Sequence, residues 1–124
     1  MKNKKKHEEK RKHPRTKQSI SFKIKIDDST IATESIDLSC IGAYCQVDKY
    51  IPSMTNLKIV IALPCEDQED GVEYIECNGV VVRVKRISSN NGGNTHNIAI
   101  FFNEIEESEK EKIANFIENH SEDS

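Results

Sequence analysis

From residue 19 onward the chain alternates apolar and polar side chains at a period of two, and it changes to a helical period once, close to its end. Ile20, Phe22, Ile24 and Ile26 fall on one side, with Ser21, Lys23 and Lys25 on the other. That pattern is a half-buried strand, because successive side chains of extended backbone point to opposite faces. Asp27-Asp28-Ser29 is a turn cluster, and residues 30–36 are rich enough in β-branched side chains to return as a second strand. Residues 43–47 predict a third. Pro52 and Ser53 break the chain before residues 57–63, a near-continuous apolar run that suits a strand buried between neighbours, and Pro64 ends it. After an acidic loop at 66–71, residues 72–86 predict one long strand or a bent pair, kinked at Gly79. On it Val80, Val82 and Val84 alternate with Val81, Arg83 and Lys85, and Arg83, Lys85 and Arg86 are expected on the outer face. Asn90-Asn91-Gly92-Gly93, within residues 88–94, is the clearest hairpin turn, and residues 96–102 return as the last strand.

The period changes over residues 106–119, where Ile113, Phe116 and Ile117 fall at i, i+3 and i+4 among charges. This predicts one amphipathic helix, with Ser108 and Glu111 at capping-box spacing if it starts late. Its narrow stripe is expected to pack across the open end of the sheet. Residues 120–124 are expected to be disordered. Short strands at regular spacing followed by one helix define a mainly β chain, a six-stranded antiparallel β-barrel with a C-terminal α-helix. There is no βαβ alternation, which disfavours a dinucleotide-binding fold, and 124 residues suffice for a single domain.

Charge is distributed more tellingly than the net value of −3 suggests. Residues 1–17 hold nine Lys or Arg against two Glu, while the remainder is strongly acidic. An anionic ligand would be steered to the N-terminal segment. No stretch approaches the roughly 18 apolar residues of a membrane helix, and the basic start leads into more charge, so a cytoplasmic chain without membrane insertion is expected. Cys40, Cys45, Cys65 and Cys77 have no zinc-type spacing and are expected as reduced, hydrophobe-like thiols. No metal site is expected, and His7 and His13 are read as solvated tail residues.

Two short motifs carry the chemistry. Arg11-Lys12-His13-Pro14-Arg15 reads R-x-x-x-R, and Asp37-Leu38-Ser39-Cys40-Ile41-Gly42 reads D-x-S-x-x-G, placed in the turn between the second and third strands. Pro14 fixes φ and disfavours helix at His13, so both arginines sit on extended chain. In order, spacing and setting the pair resembles the PilZ family of cyclic di-GMP receptors. The resemblance spans about residues 10–117, and extends to Gly79-Val80-Val81-Val82-Arg83-Val84 and to Ile98-Ala99-Ile100-Phe101-Phe102 as the family's last two barrel strands. The sequence departs from the family at Ala99, where glycine is frequent, and at Lys10, where a further arginine is common.

The resemblance implies a division of the chain into a basic tail (1–9), a PilZ domain (10–119) with a ligand clasp at 10–18, a barrel at 19–102 and the helix, and a short C-terminal tail. It implies cyclic di-GMP as ligand and Arg11, Arg15, Asp37, Ser39 and Gly42 as the binding residues. Arginine meets phosphate and the guanine O6/N7 edge with two parallel bonds, whereas a carboxylate accepts from guanine N1–H and N2–H. Ser39 adds a short hydroxyl and Gly42 a backbone that comes close to the ligand. The clasp is expected to order on binding and signal to an unidentified downstream protein. A nucleotide-independent PilZ-like interaction module is the alternative. The sequence speaks against specific nucleic-acid binding, since it lacks a clustered aromatic stripe. It also speaks against catalysis, since no nucleophile–base motif, P-loop or metal-binding acidic pair is present. No cofactor is expected.

Overall fold

The computed structural model describes residues 15–88 and 94–120. Among the described residues seven strands and one helix follow one another: β1 (Arg15–Thr16), β2 (Ser21–Ile26), β3 (Ser29–Ser39), β4 (Gly42–Val47), β5 (Asn56–Pro64), β6 (Val72–Ser88), β7 (Asn94–Glu104) and α1 (Glu107–His120). The sheet runs β1-β3-β2-β5-β6-β7-β4, and a further β3–β4 pairing closes it. Every pairing is antiparallel, so β2–β7 form a closed six-stranded barrel of the expected class. The two-residue β1 is added on the end of β3, Arg15 opposite Ser39 and Thr16 opposite Leu38.

Period-two alternation becomes burial as expected on β2, where Phe22 and Ile24 point into the core; β5, expected to be buried throughout, instead alternates, with Leu57, Ile59, Ile61 and Leu63 buried and Lys58 exposed. The two-residue connection of the β2–β3 hairpin is completed by Asp27 at φ +52°, a left-handed conformation that aspartate tolerates better than most side chains. β3 reaches further than residues 30–36. After pairing β2 from Ser29 to Glu34 it shifts register between Ser35 and Asp37, leaves Ile36 exposed, and takes β4 as its neighbour. That shift is the bend by which one strand serves both sides of the barrel.

β6 departs from the expected alternation. Ile75 and Val81 are fully buried, whereas Val82 is exposed and Val84 half-buried. Register shifts fall between Asn78 and Val80, where the extra residue lies on β7, and between Val81 and Arg83, where Val82 is the extra residue on β6 and resets which side faces inward. Gly79 stays in regular register with Leu57 of β5, and a Cβ there would press on the side chains of Ile100 and Ile59, at 2.8 and 2.9 Å. The 89–93 turn lies outside the described residues, and its flanking strands pair up to Ser88 opposite Asn94.

The helix begins one residue later than expected. Glu106 caps it, its carbonyl oxygen accepting from the N–H groups of Glu109 and Lys110, both at 3.0 Å. Ser108 therefore lies inside the first turn and the Ser108–Glu111 capping box does not form. Glu107 and Glu109 in that turn complement the positive end of the helix. Ile113, Phe116 and Ile117 join the same core cluster as the strands, and α1 packs against β1, β3 and β6. Lys112 ties the helix to the barrel by an ion pair to Glu73 at 3.6 Å and pairs within the helix with Glu109 at 3.1 Å. Among the described residues no helix is long and apolar enough to cross a membrane.

None of the four cysteines forms a disulfide. Burial pushes the Cys45 thiol up to about 12, and burial followed by the charge of Glu109 does the same for Cys77. A raised thiol pKa stabilises the fold below the unfolded value of 9.0, and that stability is lost as pH rises from there toward about 12. Two outcomes are expected. The unfolding temperature falls above pH 9, and at pH 8 a thiol reagent modifies native Cys65 well ahead of Cys45, a difference that vanishes in denaturant. Ile98→Ala, in the fully buried centre of β7, is expected to cost about 2–5 kcal/mol in urea unfolding.

Candidate ligand-binding cleft

The D-x-S-x-x-G motif does not lie wholly in a turn. Asp37, Leu38 and Ser39 belong to β3, the turn is confined to Cys40 and Ile41, and Gly42 opens β4. The reason is pairing: Asp37 and Leu38 face Tyr44 and Ala43 of β4, while Leu38 and Ser39 also receive β1. Ser39, 8% exposed, braces the turn, its Oγ accepting from Ile41 N–H at 3.2 Å and donating to the Gly42 carbonyl at 3.4 Å. One lone pair of that hydroxyl remains. Gly42 is required by the neighbouring strand, since a Cβ there would fall on the carbonyl oxygen of Ile100. Close strand approach, more than ligand approach, accounts for this glycine.

β1 brings Arg15 over the end of β3. Its Nη1 donates to Asp37 Oδ2 at 2.9 Å, with the Arg15 side chain 46% exposed and that of Asp37 19%. The other carboxylate oxygen, Oδ1, is buried and has no hydrogen-bond partner among the described residues. A buried acceptor without a donor is rare in folded proteins. Arg15 and Asp37, 22 residues apart in sequence, are thus brought together. Arg11 and the first half of the clasp, residues 10–14, lie outside the described residues.

Strand register extends the site across the sheet. Asp37 pairs with Tyr44, Tyr44 with Ala99, and Ala99 with Arg83, which makes one transverse row over β3, β4, β7 and β6. At about 4.8 Å between strands the row is roughly 14 Å long. The small Ala99 keeps the floor low between Tyr44 and Arg83, and the extra residue Val82 sets Arg83 in register with it. The resulting cleft, about 670 Å³, is lined by Arg15, Asp37, Ser39, Gly42 and this row, with Phe101 at its margin. Cationic forks at both ends, a carboxylate with an open acceptor and two aromatic rings suit a ligand that carries anionic groups together with N–H donors and flat rings.

Tyr44, Ala99 and Phe101 are the lining residues that motif reading misses. Their signal was the register of four strands, which single-strand periodicity does not contain. Arg83 faces outward as expected. Arg86, by contrast, stands opposite His96 and turns to a different groove, because it lies an odd three residues beyond Arg83 in the same regular register.

A small antiparallel barrel with a helix docked into it and a mixed polar and aromatic cleft outside is thus the class of protein in hand. The family model for the PilZ domain matches residues 9–119, and the chain belongs to the PilZ family, whose members are receptor and adaptor modules. Its fold is similar to that of the Bacillus subtilis inhibitor of motility, MotI/DgrA, with a TM-score of 0.73 at 20% identity over 88% of this chain. The match covers 50% of that protein, so this chain spans half its length. It is also similar to the PilZ domain of YcgR from Escherichia coli, solved with cyclic di-GMP, with a TM-score of 0.61 at 13% identity over 91% of this chain and 92% of that one. At such identities the likeness establishes the fold. No curated protein sequence matches the chain.

Exposed ion pairs contribute little, so Arg15→Ala is expected to change the free energy of unfolding by less than about 1 kcal/mol. Urea denaturation of the variant checks this. A larger loss would assign Arg15 a structural role that the exposed geometry does not support.

Proposed function

We propose that this chain is a cyclic di-GMP receptor that changes conformation when the second messenger binds and passes that state to a partner protein. The observation that carries the reading is the Asp37 carboxylate, one oxygen held by Arg15 and the other buried without a donor, at the head of a cleft lined by arginine and aromatic side chains. Guanine N1–H and N2–H are donors of the kind Oδ1 lacks. Arg15 then divides its guanidinium between Asp37 and a phosphate or guanine edge, and Arg11, four residues earlier, supplies a second fork from the same segment. Arg83 offers positive charge at the far end of the cleft, and Tyr44 and Phe101 offer faces for a base. Ser39 and Gly42 shape the turn and the strand approach on which Asp37 depends.

The PilZ domain of YcgR, the relative solved with cyclic di-GMP, supports the choice of ligand. On this reading residues 10–18 form the clasp that closes over the ligand, and the change in that segment is what a partner reads. Fixing each backbone residue costs roughly 1–2 kcal/mol, which the charge-assisted contacts must offset. The alternative, an interaction module indifferent to nucleotide, has less to support it, because every motif residue needed for the ligand is intact in this sequence.

Isothermal titration calorimetry with cyclic di-GMP, using GMP and cyclic di-AMP as controls, tests the proposal. Selective, saturable binding is expected, and a stoichiometry of one or two decides whether Lys10 in place of arginine still permits a stacked ligand pair. Absence of heat and of any thermal shift at high ligand concentration would establish the nucleotide-independent module instead. Arg15→Ala and Asp37→Asn are each expected to weaken binding roughly ten- to hundredfold, from the loss of a hydrogen bond to a charged group. Unchanged affinity in both variants would remove the ligand from this cleft.

A further inference from the structure

The seventeen-residue strand β6 has different company along its two halves. Residues 72–80 pair with β5, and the register ends at Asn56 opposite Val80. Two backbone bonds extend the closure by one residue: Met54 N–H donates to the Val81 carbonyl at 2.6 Å, and Val81 N–H to the Thr55 carbonyl at 3.0 Å. From Val82 to Ser88 the strand has β7 as its sole strand neighbour among the described residues. A strand edge left open in this way is a template for another strand.

Beside this edge runs a groove of about 790 Å³, walled by Tyr50 and Ser53 on one side and by Val84, Arg86 and His96 on the other. Two features mark it as more than a guarded edge. His96 is 7% exposed, packs edge-on against the Tyr50 ring at 5.6 Å, and has its Nδ1 buried without a hydrogen-bond partner among the described residues. Tyr50, Met54 and Val82 are all more than half exposed along the rim, and Met54 is held there at φ +73°, a left-handed backbone costly for a non-glycine residue. Large apolar side chains beside arginine are the composition of protein-docking sites.

We propose that this groove takes an acidic, extended segment of a partner protein, added to the open edge of β6 as a further strand. The charge of Arg83, Lys85 and Arg86 selects the occupant. The strongly basic N-terminal residues of this chain would meet like charge there. A second copy pairing edge to edge would set the same cations against one another, which opposes self-association. The acidic residues 121–124 span at most about 14 Å. They follow a helix whose Asn119 lies against Leu63 and Pro64, where Pro64 pairs with Val72, about ten strand residues or roughly 33 Å from Val82. A partner's carboxylates meet the positive charge of the arginines and accept from His96, while alternate apolar side chains cover Tyr50 and Val82. The proposal rests on the receptor reading for the existence of a partner, and groove and cleft share Val82 and Arg83, so both face the same bulge.

The test is an NMR titration of the ¹⁵N-labelled full chain with a synthetic peptide alternating glutamate with valine or phenylalanine, and with its lysine-for-glutamate counterpart, each with and without saturating cyclic di-GMP. The acidic peptide is expected to shift amides within 50–54 and 82–88, to slow hydrogen exchange along that edge, and to bind at least tenfold more weakly to Arg86→Glu and Tyr50→Ser. The basic peptide is expected to leave these amides unmoved. Equal response to both peptides, shifts confined to other strands, or no response at millimolar peptide overturns the proposal. So does sedimentation showing a dimer that Arg86→Glu disrupts, which gives the groove to a second copy. Calorimetry with cyclic di-GMP on the same samples reports the receptor reading separately, since the peptide response is also measured without nucleotide.

Discussion

The architecture depends on the division of one strand between two neighbours. β3 leaves β2 after Glu34, shifts register around Ile36, and joins β4 from Ser35 to Leu38. That change closes the sheet into a barrel and removes edges that would otherwise expose unpaired backbone. It also leaves the end of β3 free to accept β1 at Leu38 and Ser39. The Arg15–Asp37 contact follows from that docking, because β1 carries the arginine to the place where β3 presents its carboxylate. Closure of the core and assembly of the cleft are therefore one event.

The second device is the bulged strand β6. Gly79 lets β6 and β7 approach with Ile59 and Ile100 packed on either side, and Val82 resets the alternation so that Arg83 enters the cleft row; Arg86, three residues on, faces the other groove. Without that extra residue the valines at 80, 82 and 84 would share a face. Bulges re-aim side chains beside functional surfaces at the expense of local pairing. Here Val82 falls just beyond the last residue paired with β5. A receptor that must both hold a ligand and show a face to a partner has use for such a place.

Much of the barrel was legible beforehand for a simple reason. Phe22 and Ile24 lie in a regular strand, where period two alone decides which side is buried, and the apolar run at 57–63 is long enough to announce a strand by itself. The helix was equally legible from Ile113, Phe116 and Ile117, whereas its start was not, because either Glu106 or Ser108 can cap and only the backbone bonds to the Glu106 carbonyl distinguish them. The reading of β6 failed at Val82 because a bulge has no hydrophobic signature of its own. Placing Asp37 in a turn failed because β1, two residues long, is too short to announce itself in a pattern yet pairs the strand that holds it.

By itself the sequence determined the class of fold, the order of strands and helix, and the residue types able to meet a nucleotide, since these depend on local periodicity and on short motifs. Only the tertiary structure decided that Arg15 pairs with Asp37, that the Oδ1 oxygen is left buried and open, and that Tyr44, Ala99 and Arg83 form one row. These are relations between strands distant in sequence, and they are set by register. A shift of one residue in any pairing would turn every one of those side chains to the opposite face.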